Sequence, residues 1–151
     1  MKVMFVCTGN ICRSPLGEAI LKKLTKESGK NIFVSSSGTE SYHEGEKPDY
    51  RALKIGKKYN LEMENIRAKK ITLKDIQEFD YIFCASKKHS ERLKKLLPFE
   101  LQHKIHLFLE FTKVLNKYEN ELPDPYYGTD EDFEEVYELC LAGCKNFINF
   151  V

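Results

Sequence analysis

Val3-Met4-Phe5-Val6-Cys7-Thr8-Gly9-Asn10-Ile11-Cys12-Arg13-Ser14-Pro15 decides the reading of the chain. An apolar run of strand character ends at a cysteine, five residues intervene, and an arginine followed by Ser-Pro opens a helix. A ring of this size between a strand and a helix N-terminus can turn successive backbone N–H groups inward. The helix adds its own unpaired N–H groups and the positive end of its dipole. Such a ring, Thr8 to Cys12, binds a tetrahedral anion. Gly9 and Asn10 best tolerate the unusual backbone angles a closed ring demands. Arg13 supplies a planar, two-pronged donor for phosphoryl oxygens. Cys7 then lies beneath donors and positive charge that favour thiolate over thiol, and Ser14 can give its sulfur a hydroxyl hydrogen bond. Attack of that sulfur on phosphorus would give a phosphocysteine.

The rest of the chain reads as strands alternating with helices. Ser14 is placed to cap the first helix with Pro15 at its first position, and Leu16, Ala19, Ile20 and Leu24 recur at helical spacing until Ser28-Gly29. Asn31 to Ser35 reads as a second strand, and the polar stretch from Ser36 to Lys47 as a loop at its carboxyl end. Pro48 opens a helix to Tyr59. Thr72 and Asp75 cap a short helix to Phe79, Asp80 to Ala85 is a third strand, and Ser86 caps a basic helix from Lys87 to Leu97. Ile105 to Leu109 is a fourth strand, Glu110 to Tyr118 reads as helical, and Leu122 to Gly128 is a breaker-rich loop. Thr129 and Asp132 open a final helix whose stripe is Phe133, Val136, Tyr137, Cys140, Cys144, Phe147 and Ile148. The pattern predicts an α/β domain spanning 1–151, with an open, mostly parallel four-stranded sheet and helices on both faces.

With 24 Lys and Arg against 23 Asp and Glu, the net charge is +1, so bulk charge points neither to nucleic acid nor to a membrane surface. No run approaches the roughly 18 apolar residues of a membrane span, and the apolar run after Met1-Lys2 is too short for a signal-peptide core. Five cysteines without framework spacing fit reduced thiols and a cytoplasmic protein, and no Cys-x-x-Cys pair suggests a metal. No metal or other cofactor is expected.

Cys7-Thr8-Gly9-Asn10-Ile11-Cys12-Arg13-Ser14-Pro15 resembles the signature loop of the low-molecular-weight protein tyrosine phosphatases, and the similarity runs nearly the whole chain. It implies the three-layer α/β fold of that family and phosphotyrosine-bearing proteins as substrates, with a tyrosine kinase among possible partners. Inorganic phosphate or other oxyanions would occupy the loop. Phosphocysteine chemistry needs a proton for the leaving phenolate and then a base for water. Asp124, stiffened by Pro123 and Pro125, matches the family's general-acid loop, and Tyr126 and Tyr127 beside it would exclude water. By the same resemblance Tyr42 and Tyr126 wall a deep slot for a phenyl ring, and Ser36 or Ser37 braces Asn10. Asp80 matches a family aspartate that hydrogen-bonds near the loop, or else caps a turn. Cys12 would form a reversible disulfide with Cys7 under peroxide, or simply pack.

The chain also departs from the family. Relatives often carry an Asp after the third strand, where this chain has Ala85-Ser86-Lys87-Lys88-His89, and a family histidine before Ala68-Lys69 is replaced by Ile66. Protein arginine phosphatases resemble the loop but carry threonine where this chain has Ile11. Thioredoxin-coupled arsenate reductases need two further cysteines after the third strand, where only Cys84 lies. A non-catalytic phosphate-binding module would not require Cys7. The basic run Lys87, Lys88, Arg92, Lys94 and Lys95 is a solvated face or a partner surface.

Overall fold

A computed structural model describes residues 1–151. In chain order the elements are β1 (Lys2–Cys7), α1 (Arg13–Ser28), β2 (Phe33–Gly38), α2 (Tyr50–Lys58), α3 (Leu73–Glu78) and β3 (Tyr81–Cys84). They continue with α4 (Lys87–Lys95), α5 (Phe99–Gln102), β4 (Ile105–Leu107), α6 (Phe108–Phe111) and α7 (Asp130–Phe150). The four strands form one parallel sheet in the order β2-β1-β3-β4.

β1 is buried along its length because the pleat sends its side chains alternately into two cores. Val3, Phe5 and Cys7 join the larger core, which also holds Leu16 and Ile20 of α1 and Phe133, Val136 and Phe147 of α7. Met4 and Val6 face the smaller one with Ile76 of α3 and Leu93 of α4. Helices therefore cover both faces, as the alternation of strands and helices implied. From β1 the chain turns outward to β2 and then crosses back to β3 on the other side of β1. The carboxyl ends of β1 and β3 thus flank the point where strand order reverses, which is where open α/β sheets place ligands.

Several boundaries differ from the sequence reading. α1 starts at Arg13 with Cys12 in the cap position and no side-chain cap, so Ser14 does not cap it; that hydroxyl is engaged by Cys7 and Asn10. β2 runs Phe33–Gly38, which moves Ser36, Ser37 and Gly38 from the expected loop into the strand. The helix expected from Glu110 to Tyr118 is a single turn, α6: Thr112 Oγ1 donates back to the Phe108 carbonyl, and Lys113 takes a left-handed φ of 59° that ends it. α5 was not anticipated at all. Asp80 does not reach the signature loop. Its carboxylate accepts the Lys2 N–H at 2.7 Å, at the opposite end of β1 from Cys7, so it is the turn residue. The basic residues of α4 lie outside its buried positions, His89 and Leu93, with Lys87 paired to Glu119 and Arg92 to Glu40.

Candidate active site

The loop after β1 is held by its carbonyls. Cys7 O accepts from Thr39 N–H at 2.9 Å, Thr8 O from Glu40 N–H at 3.0 Å and Ile11 O from Asp49 N–H at 2.8 Å. In a trans peptide the next N–H points the other way, and no peptide here is cis. The N–H groups of Thr8, Gly9 and Cys12 are therefore turned away from the supporting protein. None of the five N–H groups from Thr8 to Cys12 donates to another backbone group. Together with the start of α1 they make a concave set of donors suited to a tetrahedral anion.

Asn10 makes that shape possible. Its φ of 59° turns the chain, and its side chain, 1% exposed, fills the back of the ring. Nδ2 donates to Ser14 Oγ at 2.7 Å and to Ser36 Oγ at 3.0 Å, and Oδ1 accepts the Lys69 N–H at 3.0 Å. Ser36 is thus the brace, and its own hydroxyl donates a hydrogen bond to the buried carboxylate of Glu18 at 2.5 Å. Ser37 points to the opposite face of the sheet from Ser36, where its hydroxyl donates to Met4 Sδ at 3.1 Å. Because Asn10 Nδ2 can only donate, Ser14 Oγ is an acceptor toward it, and the hydroxyl hydrogen of Ser14 is free for Cys7 Sγ, 3.0 Å away. Gly38 lets β2 approach this closely: a Cβ there would stand 2.4 Å from the Thr8 carbonyl oxygen.

Above the ring is a cavity of about 340 Å³ lined by Cys7, Thr8, Gly9, Ile11, Cys12, Arg13, Tyr42, His43, Asp124, Tyr126 and Tyr127. Of the residues expected from sequence, Asn10 and Ser14 do not line it and support it from behind. The Arg13 side chain is buried, its Nη1 donating to Leu122 O at 3.2 Å and its Nη2 lying 3.8 Å from Asp124 Oδ2. The guanidinium thus joins the signature loop to the Asp-Pro-Tyr-Tyr loop from the far end of the chain. Asp124 Oδ1 accepts the Tyr126 N–H at 3.1 Å, an Asx turn that sets the carboxyl at the rim. The Asp124 side chain is 52% exposed, so Tyr126 and Tyr127 act as walls and not as the water-excluding cover expected from sequence.

Arg51, which sequence reasoning passed over, anchors this second loop. It donates to the carbonyls of Tyr126 at 2.8 Å and Gly128 at 3.0 Å and holds Asp49 in a two-pronged pair. Burial alone would raise the Asp49 carboxyl, but hydrogen bonds from the Arg51 side chain and N–H hold it below its usual range. Burial, then the nearby carboxylate of Asp49, pushes the Cys12 thiol up. His43 was also missed; its ring stands on Gly9 and its Nδ1 donates to Glu46 Oε2 2.8 Å away, a partner three residues on that the sequence could have suggested. His89 was noted only as a departure. It is buried behind Thr8, and burial, then the charge of Arg13, lowers its pKa to about 3.

Cys84, Cys140 and Cys144 are all fully buried, and all five cysteines are free thiols. Nothing here resembles a relay of accessible cysteines of the kind an arsenate reductase needs.

Comparison with known proteins agrees with this geometry. The family model for low molecular weight phosphotyrosine protein phosphatase matches residues 2–151. The low molecular weight phosphotyrosine protein phosphatase of Gallus gallus is 39% identical over 152 residues, covering 97% of this chain and 92% of that protein. The crystal structure of a protein tyrosine phosphatase from Entamoeba histolytica superposes with a TM-score of 0.92 at 35% identity, covering 99% of this chain and 95% of that one. A Drosophila arginine phosphatase superposes with a TM-score of 0.91 at 31% identity, covering 99% and 97% of the two chains. A parallel sheet whose first strand delivers a cysteine into a ring of free amides, matched along its whole length by these proteins, places the chain in the low molecular weight phosphotyrosine protein phosphatase family.

Proposed function

We propose that the chain hydrolyses phosphotyrosine monoesters on proteins, with Cys7 as nucleophile, Arg13 as phosphoryl clamp and Asp124 as general acid and then base. The observation that carries this is the convergence of those three residues, from the two ends of the sequence, on one cavity floored by unpaired amides. The Cys7 sulfur, its negative charge supported by the Ser14 hydroxyl and the amide ring, attacks phosphorus. As the S–P bond forms, the bond from phosphorus to the phenolic oxygen breaks and Asp124 gives that oxygen a proton. The resulting carboxylate takes a proton from water, whose oxygen attacks phosphorus and returns the electron pair of the S–P bond to Cys7. Arg13 and the amides hold the equatorial oxygens in both steps. Thr8, Gly9, Asn10, Ile11 and Cys12 contribute backbone donors or wall.

The lining of the cavity by Tyr42, Tyr126 and Ile11 above Cys7 supports an aromatic phosphoester over phosphoserine, which offers these walls no ring. Arginine phosphatase activity is the second reading, favoured by the similarity to the Drosophila arginine phosphatase. Ile11, almost fully buried at the wall, supports the phenyl ring instead. Cys12, which shares the cavity with Cys7, supports reversible protection of an oxidised Cys7. Free cysteines throughout the chain support a reducing compartment, the cytoplasm, and phosphotyrosine proteins there, tyrosine kinases among them, as partners. No helix is long and apolar enough to cross a membrane.

Steady-state rates on phosphotyrosine, phosphoarginine, phosphoserine and p-nitrophenyl phosphate test the reading. Phosphotyrosine turnover that EDTA leaves intact and Cys7→Ser abolishes is expected. Asp124→Ala should slow phosphorylation of the enzyme most for poor leaving groups. Activity surviving in Cys7→Ser would overturn the mechanism, and equal rates on phosphoarginine and phosphotyrosine would remove the argument from Ile11.

A further inference from the structure

His89 is a buried imidazole that the mechanism above does not use. It is the third residue of α4, five residues after β3, with 1% of its surface exposed, and touches polar groups on both sides. The Ser86 N–H donates to Nδ1 at 3.2 Å, with Ser86 Oγ 2.9 Å from the same nitrogen. On the other side Nε2 lies 2.8 Å from Thr8 Oγ1. A backbone N–H can only donate, so Nδ1 must carry the lone pair, and in the neutral ring the proton is on Nε2. Burial and the charge of Arg13 keep the ring neutral down to a pH of about 3, so one tautomer holds throughout the range in which a phosphatase works. Nε2–H therefore donates to Thr8 Oγ1. The hydroxyl hydrogen of Thr8 then has no acceptor within the chain, and Thr8 lines the cavity directly after the nucleophile.

We propose that His89 is a positioning residue that acts through Thr8: by donating to Thr8 Oγ1 it fixes the hydroxyl so that its own hydrogen is presented to the bound phosphoryl group as one more donor beside the amides. The pairing joins the signature loop to the N-terminus of α4, so the helix that follows β3 helps set oxyanion affinity. The proposal rests on reading this cavity as the phosphoryl site. It is carried by the Ser86-Lys87-Lys88-His89 segment, through the Ser86 N–H on Nδ1 and Thr8 Oγ1 at Nε2.

Two measurements test it. Long-range proton–nitrogen spectra of the His89 ring in the wild-type protein should show hydrogen on Nε2 alone; hydrogen on Nδ1 would overturn the proposal without bearing on phosphatase activity. The inhibition constant for inorganic phosphate and kcat/KM on p-nitrophenyl phosphate are then compared for Thr8→Val, Thr8→Ser, His89→Leu and the Thr8→Val/His89→Leu double variant. Thr8→Val and His89→Leu should each weaken phosphate binding and kcat/KM about tenfold, the worth of one hydrogen bond, and the double variant should lose about as much as either alone. Thr8→Ser should recover most of the Thr8→Val loss. A merely structural histidine would lower the unfolding midpoint while leaving the phosphate constant of the folded variant within twofold of wild type, and that result, or a hundredfold additive loss, would overturn the proposal. If His89→Leu does not fold, the Thr8→Val and Thr8→Ser pair and the wild-type spectrum still decide. Wild-type protein that binds phosphate but hydrolyses no phosphoester would refute the proposed function instead.

Discussion

Replacing Asn10 by alanine removes three hydrogen bonds at once: two donated to Ser14 and Ser36, and one accepted from the Lys69 N–H. At about 1 kcal/mol net for each, the bonds account for about 3 kcal/mol. Position 10 also has φ of 59°, and an alanine held there pays about 1 kcal/mol that glycine does not. Asn10→Ala should therefore lose about 4 kcal/mol and Asn10→Gly about 3 kcal/mol. With a urea m-value of about 2 kcal/mol/M, the midpoints should fall by about 2 M and about 1.5 M at unchanged m. The order of the two variants isolates backbone strain from lost bonds. Catalysis separates differently. Asn10 Nδ2 also occupies the Ser14 oxygen and so orients the Ser14 hydrogen toward Cys7, which neither variant can do. Both should show kcat lowered at least tenfold, including Asn10→Gly, although its backbone is unstrained. The reasoning is refuted if both variants lose less than about 1 kcal/mol, if alanine proves the more stable, or if Asn10→Gly turns over at the wild-type rate.

Other consequences are as direct. The His89 pKa is about 3 in the folded chain against 6.5 in an unfolded one, so below pH 6.5 the unfolded state binds the extra proton and stability falls with pH, by up to about 5 kcal/mol near pH 3; urea midpoints from pH 7 to 4 should decline more steeply for wild type than for His89→Leu, and equal slopes would contradict the assignment. Arg51→Ala should free the loop that carries Asp124, lowering kcat about tenfold while changing the inhibition constant for phosphate less than threefold, as read by steady-state kinetics. Peroxide inactivation should be reversed by dithiothreitol in wild type and not in Cys12→Ser, with mass spectrometry finding sulfinic acid on Cys7 only in the variant.

The chemistry of the first fifteen residues is legible in sequence because it is local. A strand that ends at Cys7, a ring turned at Asn10 and an arginine at the start of a helix follow one another in the chain, and distant groups at Thr39, Glu40 and Asp49 then hold the ring's carbonyls. The parallel sheet was legible for a similar reason, since apolar strands separated by amphipathic helices can pair in few ways. Asp124 could be singled out only by its likeness to a known loop; nothing local joins it to Cys7. Tertiary structure alone decided what depends on register or on distant partners. Ser36 and not Ser37 braces Asn10 because β2 is paired with Phe5 opposite Ser36, and a pleat sends adjacent side chains to opposite faces. Arg51, Glu18 and His89 read as ordinary charged or polar helix residues until folding brings them to the Tyr126 carbonyl, Ser36 and Thr8. Hydrophobic period reports which face of an element is buried; it carries no information about which buried polar group will meet another from 81 residues away, as Thr8 and His89 do.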